Sequence, residues 1–340
     1  MRRNVVAQIR SVDDVTADPG GIQGHVVPWP AVRVIRGADL APPSDAVILS
    51  VMPRIAAAPG PTERPARIPR SPWTGSAGPG TKESHMPTRD RAPDGAPCWV
   101  DLTTRDVDGA RKFYADVFGW TSTDPDPDFG GYFMFSHDGV PIAGGTSPMS
   151  PEIPDNWLVY LATPDAAAAT ARATEHGGEI VAPAMAVATL GTMAIIRDPG
   201  GAVVGMWQPD TFPGFVQYAE PGTPQWSEVH TRNFADVAAF YPAVFGWETK
   251  SMGDTDEFRY TVATHGEENI AGVMDGSNWL PEGVPSHWTV YFGVSDADAT
   301  IERIVAGGGS VIMPVEDTPY GRLAAVADPT GAIFRVMQAG

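Results

Sequence analysis

Residues 97–120 read PCWVDLTTRDVDGARKFYADVFGW, and residues 224–247 read PQWSEVHTRNFADVAAFYPAVFGW. The two stretches align at a constant offset, which pairs Trp99 with Trp226 and ends both on Phe-Gly-Trp. Two more matched pairs follow in the same order: NWLVYLATPDAAAAT (156–170) with HWTVYFGVSDADAT (287–300), and RDPGGAVVGMWQ (197–208) with ADPTGAIFRVMQ (327–338). Three matched blocks in one order indicate two tandem copies of a single domain.

We name the copies repeat 1 (97–210) and repeat 2 (224–340), and each is long enough to bury its own core. The first 96 residues differ in composition, because they hold 14 of the 34 prolines and 12 basic against 9 acidic residues. Such a stretch, without apolar periodicity, does not bury enough apolar surface to offset its chain entropy. We expect 1–96 to be either a disordered extension or sequence upstream of a natural start at Met86, and we favour the second interpretation.

The charge balance of the two repeats restricts the class of partner. Residues 97–340 hold the remaining 11 of 23 basic and 32 of 41 acidic residues, a net charge of −21. This excess argues against a nucleic-acid partner, since phosphates are bound by Lys and Arg. It is compatible with a cationic ligand, although an acidic surface more often only maintains solubility.

Cys98 is the single cysteine, so the chain has no intramolecular disulfide and fits a reducing compartment. No apolar run is long enough to span a bilayer, and the N-terminus lacks the apolar core of a signal peptide. We therefore expect a cytoplasmic monomer or homodimer that binds a small molecule and neither membranes nor nucleic acids.

Both repeats predict the same order of elements. The alternation in CWVDLTT and QWSEVHT predicts a strand, and the next apolar residues recur at the three- and four-residue spacing of a helix that ends at Gly119 or Gly246. Two or three strands follow. The cycle then recurs with WLVYLAT or WTVYFGV, an alanine-rich helix starting at Asp165 or Asp296, and three strands with an Asp-Pro turn before the last. This order predicts an α+β fold with helices outside a curved sheet.

Two motifs carry a resemblance to a known family: W-x-(D/E)-(L/V)-x-T…FY…FGW near the start of each repeat, and DP-x-G-A near its end. The whole of 97–340 resembles the vicinal oxygen chelate superfamily of glyoxalases, extradiol dioxygenases and bleomycin resistance proteins. It is most similar to tandem actinobacterial members of glyoxalase-like or hydroxylase type. The resemblance implies βαβββ modules that pair to form a curved-sheet cleft, hence four modules and two clefts. It also implies that the duplication supplies internally the contact through which single-domain members dimerise.

In metal-dependent members, a module carries one ligand, usually His, on its first strand and one, usually Glu, on its last. Those positions fall here on side chains that are poor metal ligands: Trp99 and Trp226, Leu158 and Thr289, and Gly205 and Arg335. We therefore expect no metal and no other cofactor. His230 and His287 lie close to these positions, and we favour hydrogen-bonded histidines near a cleft over metal ligands.

The period of two along the first strand places Trp226, Glu228 and His230 on one face in repeat 2. The matching residues of repeat 1 are Trp99, Asp101 and Thr103. If this face lines the cleft, as the resemblance implies, each cleft has an aromatic wall and one carboxylate. Repeat 2 adds an imidazole and, from the last strand, a guanidinium.

Our first hypothesis is a metal-free cleft that binds a small, flat, aromatic metabolite through a Trp wall. Glu228 or His230 would be the catalytic group and would move a proton during hydroxylation or rearrangement. The remaining substrate-binding candidates are Trp99, Asp101, Thr103, Trp226, Thr289 and Arg335.

Three other interpretations remain open at this point. Glu228 could form a structural ion pair with Arg335 rather than take part in chemistry. The protein could sequester a cationic drug in an acidic, aromatic groove, as bleomycin resistance proteins do, and Arg335 counts against that. It could also be a metal-dependent glyoxalase or extradiol dioxygenase, against which the missing ligands count.

Overall fold

The computed structural model describes residues 89–256 and 258–339. The predicted extension therefore lies almost wholly outside the described residues. Its last part, residues 89–96, packs against the folded repeats: Ala92 and Ala96 are buried, and the carbonyl of Gly95 accepts a hydrogen bond from Trp247 Nε1 at 2.9 Å. The packed chain thus begins some residues before the boundary that composition indicated.

Repeat 1 forms eight strands and two α-helices: β1 (Pro97–Thr103), α1 (Val107–Phe118), β2 (Thr121–Ser122), β3 (Phe133–His137), β4 (Val140–Thr146), β5 (Asn156–Ala162), α2 (Ala166–Glu175), β6 (Glu179–Val187), β7 (Gly191–Arg197) and β8 (Val203–Pro209). A short 3-10 helix, Pro127–Phe129, separates β2 from β3. The strands form one sheet in the order β2-β3-β4-β1-β5-β8-β7-β6.

Repeat 2 has the same order of elements: β9 (Pro224–Thr231), α3 (Phe234–Phe245), β10 (Glu248–Asp254), β11 (Arg259–His265), β12 (Glu268–Asp275), β13 (His287–Gly293), α4 (Ala297–Ala306), β14 (Ser310–Thr318), β15 (Gly321–Ala327) and β16 (Ile333–Gln338). Its sheet has the equivalent order β10-β11-β12-β9-β13-β16-β15-β14. The predicted α+β class and the module order strand–helix–three strands are confirmed in both repeats.

Local sequence explains why the helices begin and end where they do. The carboxylate of Asp106 caps α1 by accepting a hydrogen bond from the Gly109 amide, and Asp165 and Asp296 cap α2 and α4 in the same way. Gly119 ends α1 with a φ of 75°, a left-handed conformation that glycine adopts without steric cost. The apolar stripe of α1 is buried, as its spacing predicted.

The register of the central strands sets where the cleft residues meet. β9 pairs with β12 in parallel and with β13 antiparallel, so that Glu228 lies beside Gly272 on one side and Thr289 on the other. Arg335 on β16 lies beside Tyr291 on β13. The two modules of repeat 2 therefore join at β9 and β13, and one face of that junction carries the polar residues.

The two repeats interlock through the motifs that are duplicated in the sequence. The hydroxyl of Tyr114 on α1 donates to Asp328 Oδ2 at 3.1 Å, and the hydroxyl of Tyr241 on α3 donates to Asp198 Oδ2 at 2.9 Å. Each tyrosine oxygen also accepts a hydrogen bond from a buried indole, of Trp157 or Trp288. The helix of one repeat thus packs on the Asp-Pro turn of the other, so the duplication does supply a domain-to-domain contact within the chain.

Within the described residues, no helix is both long and apolar enough to cross a membrane.

Candidate functional site

The polar cluster of repeat 2 is centred on the carboxylate of Glu228, whose side chain is only 5% exposed. Four side chains contact its two oxygens. Oε2 accepts hydrogen bonds from Trp226 Nε1 at 3.1 Å and from the Tyr260 hydroxyl at 2.8 Å, while Oε1 accepts one from the Tyr291 hydroxyl at 2.6 Å and lies 2.7 Å from His230 Nε2. The predicted face of Trp226, Glu228 and His230 is therefore present, and its members touch one another.

A glycine on the neighbouring strand makes this arrangement possible. A Cβ atom at Gly272 would lie 2.2 Å from the Tyr260 hydroxyl oxygen, so any side chain there would exclude the tyrosine from Glu228. Repeat 1 has the same device, since a Cβ at Gly144 would lie 1.8 Å from the Tyr132 hydroxyl oxygen. The close approach of tyrosine to the carboxylate thus depends on glycine in β4 and β12.

The environment keeps Glu228 ionised. Burial alone would raise its pKa, but the hydrogen bond from His230 and the charge that His230 carries once it is protonated at low pH, the hydrogen bond from Tyr291 and the charge of Arg335 together lower the pKa to about 2. An ionised carboxylate can only accept hydrogen bonds, so His230 must carry its proton on Nε2. Burial lowers the pKa of His230 more than Glu228 raises it, which leaves a neutral imidazole with an unprotonated Nδ1.

That Nδ1 atom has no hydrogen-bond partner in the described part of the chain, although His230 is only 1% exposed. The hydroxyl oxygen of Thr289, beside Glu228 on β13, is likewise buried without a partner. Buried polar atoms are normally paired, and unpaired ones cost about 1–3 kcal/mol each. Two of them on one face of the junction indicate a place that a ligand's polar groups can complete.

Two aromatic side chains pack over His230. The indole of Trp279 meets its ring edge-on at a centroid distance of 4.8 Å, and the ring of His287 lies 5.1 Å away. Trp279 is 40% exposed and belongs to the loop 276–286 between β12 and β13. Trp279 therefore covers part of the buried imidazole, and a ligand that reaches His230 would lie near this indole.

The side chain of Arg232 holds this loop in place. Its guanidinium donates to the backbone carbonyls of Leu280, Pro281 and Val284 at 2.5–2.8 Å. Arg105, the matching residue of repeat 1, holds the shorter loop 147–155 through two carbonyls and the carboxylate of Asp155. Both loops at the open edge of the β-sheet junction are thus fixed by one arginine each.

Arg335 and Glu228 do not form the ion pair that the sequence left open, because no N–O distance between them is within 4.0 Å in the described structure. His230 occupies that place against Glu228 instead. The half-buried guanidinium of Arg335 lies near two aromatic faces, with its Cζ 5.5 Å from the Tyr291 ring centroid and 6.0 Å from that of Trp279. Such contacts favour a cation but leave its N–H groups available to a ligand.

Repeat 1 retains the carboxylate cluster without the imidazole or the guanidinium. Asp101 Oδ1 accepts hydrogen bonds from Trp99 Nε1 at 2.9 Å and from the Tyr132 hydroxyl at 2.7 Å. Burial raises the pKa of Asp101 above its usual value despite these donors. Thr103 and Asn156 stand where repeat 2 has His230 and His287, and Gly205 stands where it has Arg335.

The linker between the repeats covers the aromatic wall of repeat 1. Phe212 packs edge-on against Trp99 at a centroid distance of 4.9 Å, and its carbonyl accepts a hydrogen bond from Trp207 Nε1. Trp99 is consequently 5% exposed, whereas Trp226 of repeat 2 is half-buried. Of the two predicted stacking surfaces, the one in repeat 2 is the more accessible.

Sequence reasoning missed the tyrosines that donate to the carboxylates. Tyr260 and Tyr291 serve Glu228, and their counterparts Tyr132 and Tyr160 flank Asp101. A signal was available, because Tyr160 and Tyr291 occupy the same place in the aligned NWLVYLA and HWTVYFG strands. Trp279 was also missed, and its loop has no counterpart of similar sequence in repeat 1.

The model of the Glyoxalase/Bleomycin resistance protein/Dioxygenase superfamily matches this chain twice, over residues 98–206 and 225–336. The chain belongs to this superfamily, and each repeat is one family domain. The fold and the identified resemblance are thereby confirmed.

Individual relatives are similar over most of their length. The "Putative glyoxylase CFP32" of Mycobacterium tuberculosis is 40% identical over 260 residues, which cover 74% of this chain and 98% of that protein. The "Anthracycline biosynthesis protein DnrV" of Streptomyces peucetius is 38% identical over 262 residues, which cover 72% of this chain and 93% of that protein. The crystal structure of a Mn(II)-bound glyoxalase from Novosphingobium aromaticivorans has the same fold, with a TM-score of 0.51 at 15% identity over 73% of this chain and 82% of that one.

The metal in that glyoxalase prompts the question of whether this chain could hold one. Among the described residues, no group of three or more His, Cys, Asp or Glu side chains is placed to bind a metal ion. Both oxygens of Glu228 already accept hydrogen bonds, and the guanidinium of Arg335 occupies the last strand. A carboxylate already engaged in hydrogen bonds and a guanidinium do not form the sets of imidazole and carboxylate ligands that Mn, Zn or Fe(II) require.

Proposed function

We propose that the cleft of repeat 2 binds a small aromatic metabolite without a metal ion and transfers a proton to or from it through His230. The observation that carries this proposal is the unpartnered, buried Nδ1 of His230, on a ring whose Nε2–H is held by ionised Glu228 at 2.7 Å. A carboxylate that fixes the tautomer of an imidazole and stabilises its protonated form is a general feature of acid–base catalysis.

The chemical step is a proton transfer. His230 Nδ1 accepts a proton from an acidic C–H or O–H of the bound ring system, and the electron pair of that bond is delocalised into an enolate or phenolate. The imidazolium that forms is stabilised by Glu228, and it returns the proton to a different atom of the ligand or to water. In this scheme Glu228 is a positioning residue, and His230 is the group that meets the reacting atom.

The name of one relative supports an aromatic ligand. One relative of similar length is named for anthracycline biosynthesis, and a second is named as a glyoxylase. We infer a role beside oxygenation or isomerisation of a polycyclic aromatic compound, in the cytoplasm and in a monomer or homodimer. Half-buried Trp226 supplies the stacking surface, and Thr289 supplies a further buried hydroxyl group to the ligand.

A direct test is deuterium incorporation from D2O into C10 of anthrone, whose ring C–H is acidified by the conjugated carbonyl. Chelator-treated full-length protein should accelerate exchange, and His230→Asn should abolish the acceleration. Glu228→Gln should reduce it by at least tenfold, because the amide no longer enforces the Nε2–H tautomer. His265→Asn is the matched control, since His265 is an exposed histidine at the end of β11 and should leave the rate unchanged.

The outcome also separates the alternatives. Equal acceleration by wild type and His230→Asn would contradict a proton-transfer role for this histidine. Tight binding of a polycyclic compound without exchange would support sequestration instead. Acceleration that disappears after chelation and returns with Mn(II) would support the metal-dependent alternative and contradict the proposal.

A further inference from the structure

Arg335 differs from the other arginines in the described residues by what its guanidinium contacts. The ten other arginines each donate at least one hydrogen bond to an oxygen atom: Arg89, Arg91, Arg105, Arg111, Arg172, Arg197, Arg232, Arg259, Arg303 and Arg322. The one contact of this kind that Arg335 makes is to a sulfur, Sδ of Met313 at 3.9 Å. Its guanidinium also lies close enough to the Tyr291 hydroxyl to oppose the rise in the pKa of that group that burial causes. Most of its five N–H donors are nevertheless not used by the described residues.

The fold does not require an arginine at this place. The equivalent position of repeat 1 is Gly205, which pairs with Tyr160 in the same register as Arg335 pairs with Tyr291. Both strands form normally with either residue. A cation that the fold does not need and that contacts no carboxylate within 4.0 Å among the described residues has a cost, because a half-buried charge loses hydration.

The guanidinium also faces the candidate proton-transfer site. Arg335 lies over the ring of Trp279, and the same indole meets the ring of His230. The charge of Arg335 is close enough to lower the pKa of both His230 and His287. Arg335 and His230 thus both lie close to the ring of Trp279, and the strand register places them on the same face of the β9–β13–β16 sheet.

We propose that the repeat 2 cleft selects planar acids: aromatic or conjugated ring systems in which an anionic group pairs with Arg335 while a neighbouring hydroxyl or acidic C–H is directed at His230. A guanidinium with free N–H groups recognises a carboxylate through two parallel hydrogen bonds, one to each oxygen. The ring of such a ligand packs beside Trp279 and Trp226. This inference rests on the proposed function, since it assigns a charge to the ligand of the same cleft.

The charge available in the cleft differs from the charge of the surface around it, and this difference counts against sequestration of a cationic drug. The surface of the two repeats is strongly acidic, and an acidic groove would attract a cation. At the cleft itself the local balance differs, because the charge of Glu228 is shared among four donors and Arg335 has no anionic partner within 4.0 Å among the described residues. The charge that the cleft offers to a ligand is therefore the guanidinium of Arg335 rather than the engaged carboxylate of Glu228.

Three probes that share one ring system test the charge class: 3-hydroxy-2-naphthoate, 3-hydroxy-2-naphthamide and 3-(aminomethyl)-2-naphthol. Titration calorimetry with chelator-treated full-length protein should show the acid binding at least tenfold more tightly than the amide, and the amine more weakly still. Arg335→Gln should reduce the affinity for the acid to that for the amide. Arg335→Lys should retain part of the preference, since it keeps the charge but loses the two parallel hydrogen bonds.

Arg322→Gln is the matched control, because Arg322 lies on the adjacent strand β15 and pairs with the exposed carboxylates of Asp298 and Asp317. It should leave the order of affinities unchanged. Equal or tighter binding of the amide or amine, equal binding of the acid by wild type and Arg335→Gln, or no binding of any probe at millimolar concentration would overturn the inference. His230-dependent exchange of neutral anthrone would still stand in each case, so failure of the charge class is distinguishable from failure of the proposed function.

Discussion

The hydroxyl of Tyr241 in repeat 2 donates a hydrogen bond to Asp198 Oδ2 in repeat 1 at 2.9 Å, and both side chains are buried. The other oxygen of Asp198 accepts hydrogen bonds from the amides of Gly200 and Ala202 in its own turn. One carboxylate therefore stabilises a turn in repeat 1 and anchors a helix of repeat 2. The reciprocal pair, Tyr114 and Asp328, does the same in the opposite direction. The tyrosine and aspartate of the two duplicated motifs are thus the residues that join one repeat to the other.

Removal of this bond should destabilise the protein as a whole. In Tyr241→Phe, Asp198 Oδ2 loses its donor and Trp288 Nε1 loses its acceptor, all in the interior. A buried polar group left without a partner costs about 1–3 kcal/mol. We expect urea unfolding to give a free energy of unfolding lower by about 2–6 kcal/mol, from two such groups. Tyr320→Phe, at a 50% exposed tyrosine, is the control and should change stability little. A loss below about 0.5 kcal/mol, the usual range for surface substitutions, would show that the contact does not join the repeats energetically.

The stability of the protein should depend on pH through His287. Burial, the charge of the adjacent His230 once that imidazole is protonated, and the charge of Arg335 lower its pKa to about 4, against 6.5 for the ordinary side chain. Between pH 6.5 and 4 the unfolded chain binds a proton that the folded protein excludes, so stability falls as the pH falls through this window. A tenfold difference in proton affinity between the folded and unfolded states is worth about 1.4 kcal/mol, which gives an upper limit of about 3 kcal/mol for this histidine.

His287→Asn should reduce that dependence, and repeat 1 already carries Asn156 at the equivalent place. The measurement is the free energy of unfolding by urea at several pH values from 7 to 4, for wild type and variant. Part of the slope should remain, because burial also lowers the pKa of His230. Identical slopes in the two proteins would mean that His287 is not protected from protonation in the folded state.

The loop that carries Trp279 should become mobile when Arg232 is replaced. Arg232→Gln removes the hydrogen bonds to Leu280, Pro281 and Val284, so the part of the loop after Trp279 loses its anchor. Trp279 Nε1 still donates to the Asp275 carbonyl at 2.7 Å. Amide hydrogen exchange measured by mass spectrometry should rise in peptides that cover 276–286. Arg105→Gln provides the matched control, with the increase confined to the 147–155 loop of repeat 1. Unchanged exchange of 276–286 in Arg232→Gln would show that other contacts fix this loop.

Much of the fold could be predicted because its determinants are local and duplicated. The N-terminal caps, the glycine ends of the first helix in each repeat and the Asp-Pro turns each act within a few residues of sequence. The partner of each motif could not be predicted. Nothing in the pattern states that Tyr241 bonds to the Asp-Pro turn of the other repeat rather than its own.

In the candidate site, too, the residues of one strand could be predicted, whereas their partners from other strands and loops could not. The alternation along β9 placed Glu228 and His230 on one face, because side chains alternate along any strand. The donors from Tyr260 and Tyr291 depend on the register of β11 and β13 against β9, which a single sequence does not specify. Trp279 depends on the path of a loop without periodicity. The ion pair of Glu228 with Arg335, which the sequence left open, is not formed, because the imidazole two residues along the same strand is the nearer partner.

Glu228 holds His230 as a neutral imidazole with its proton on Nε2, and the proposed proton transfer depends on this tautomer. The measurement is two-dimensional 1H–15N NMR of the full-length protein with 15N-labelled histidine at pH 7, with His230→Asn to assign its signals among the seven histidines. We predict a protonated Nε2 and an unprotonated Nδ1 in wild type, and loss of this single tautomer in Glu228→Gln. A proton on Nδ1 in the wild-type protein, alone or together with Nε2, would contradict the account.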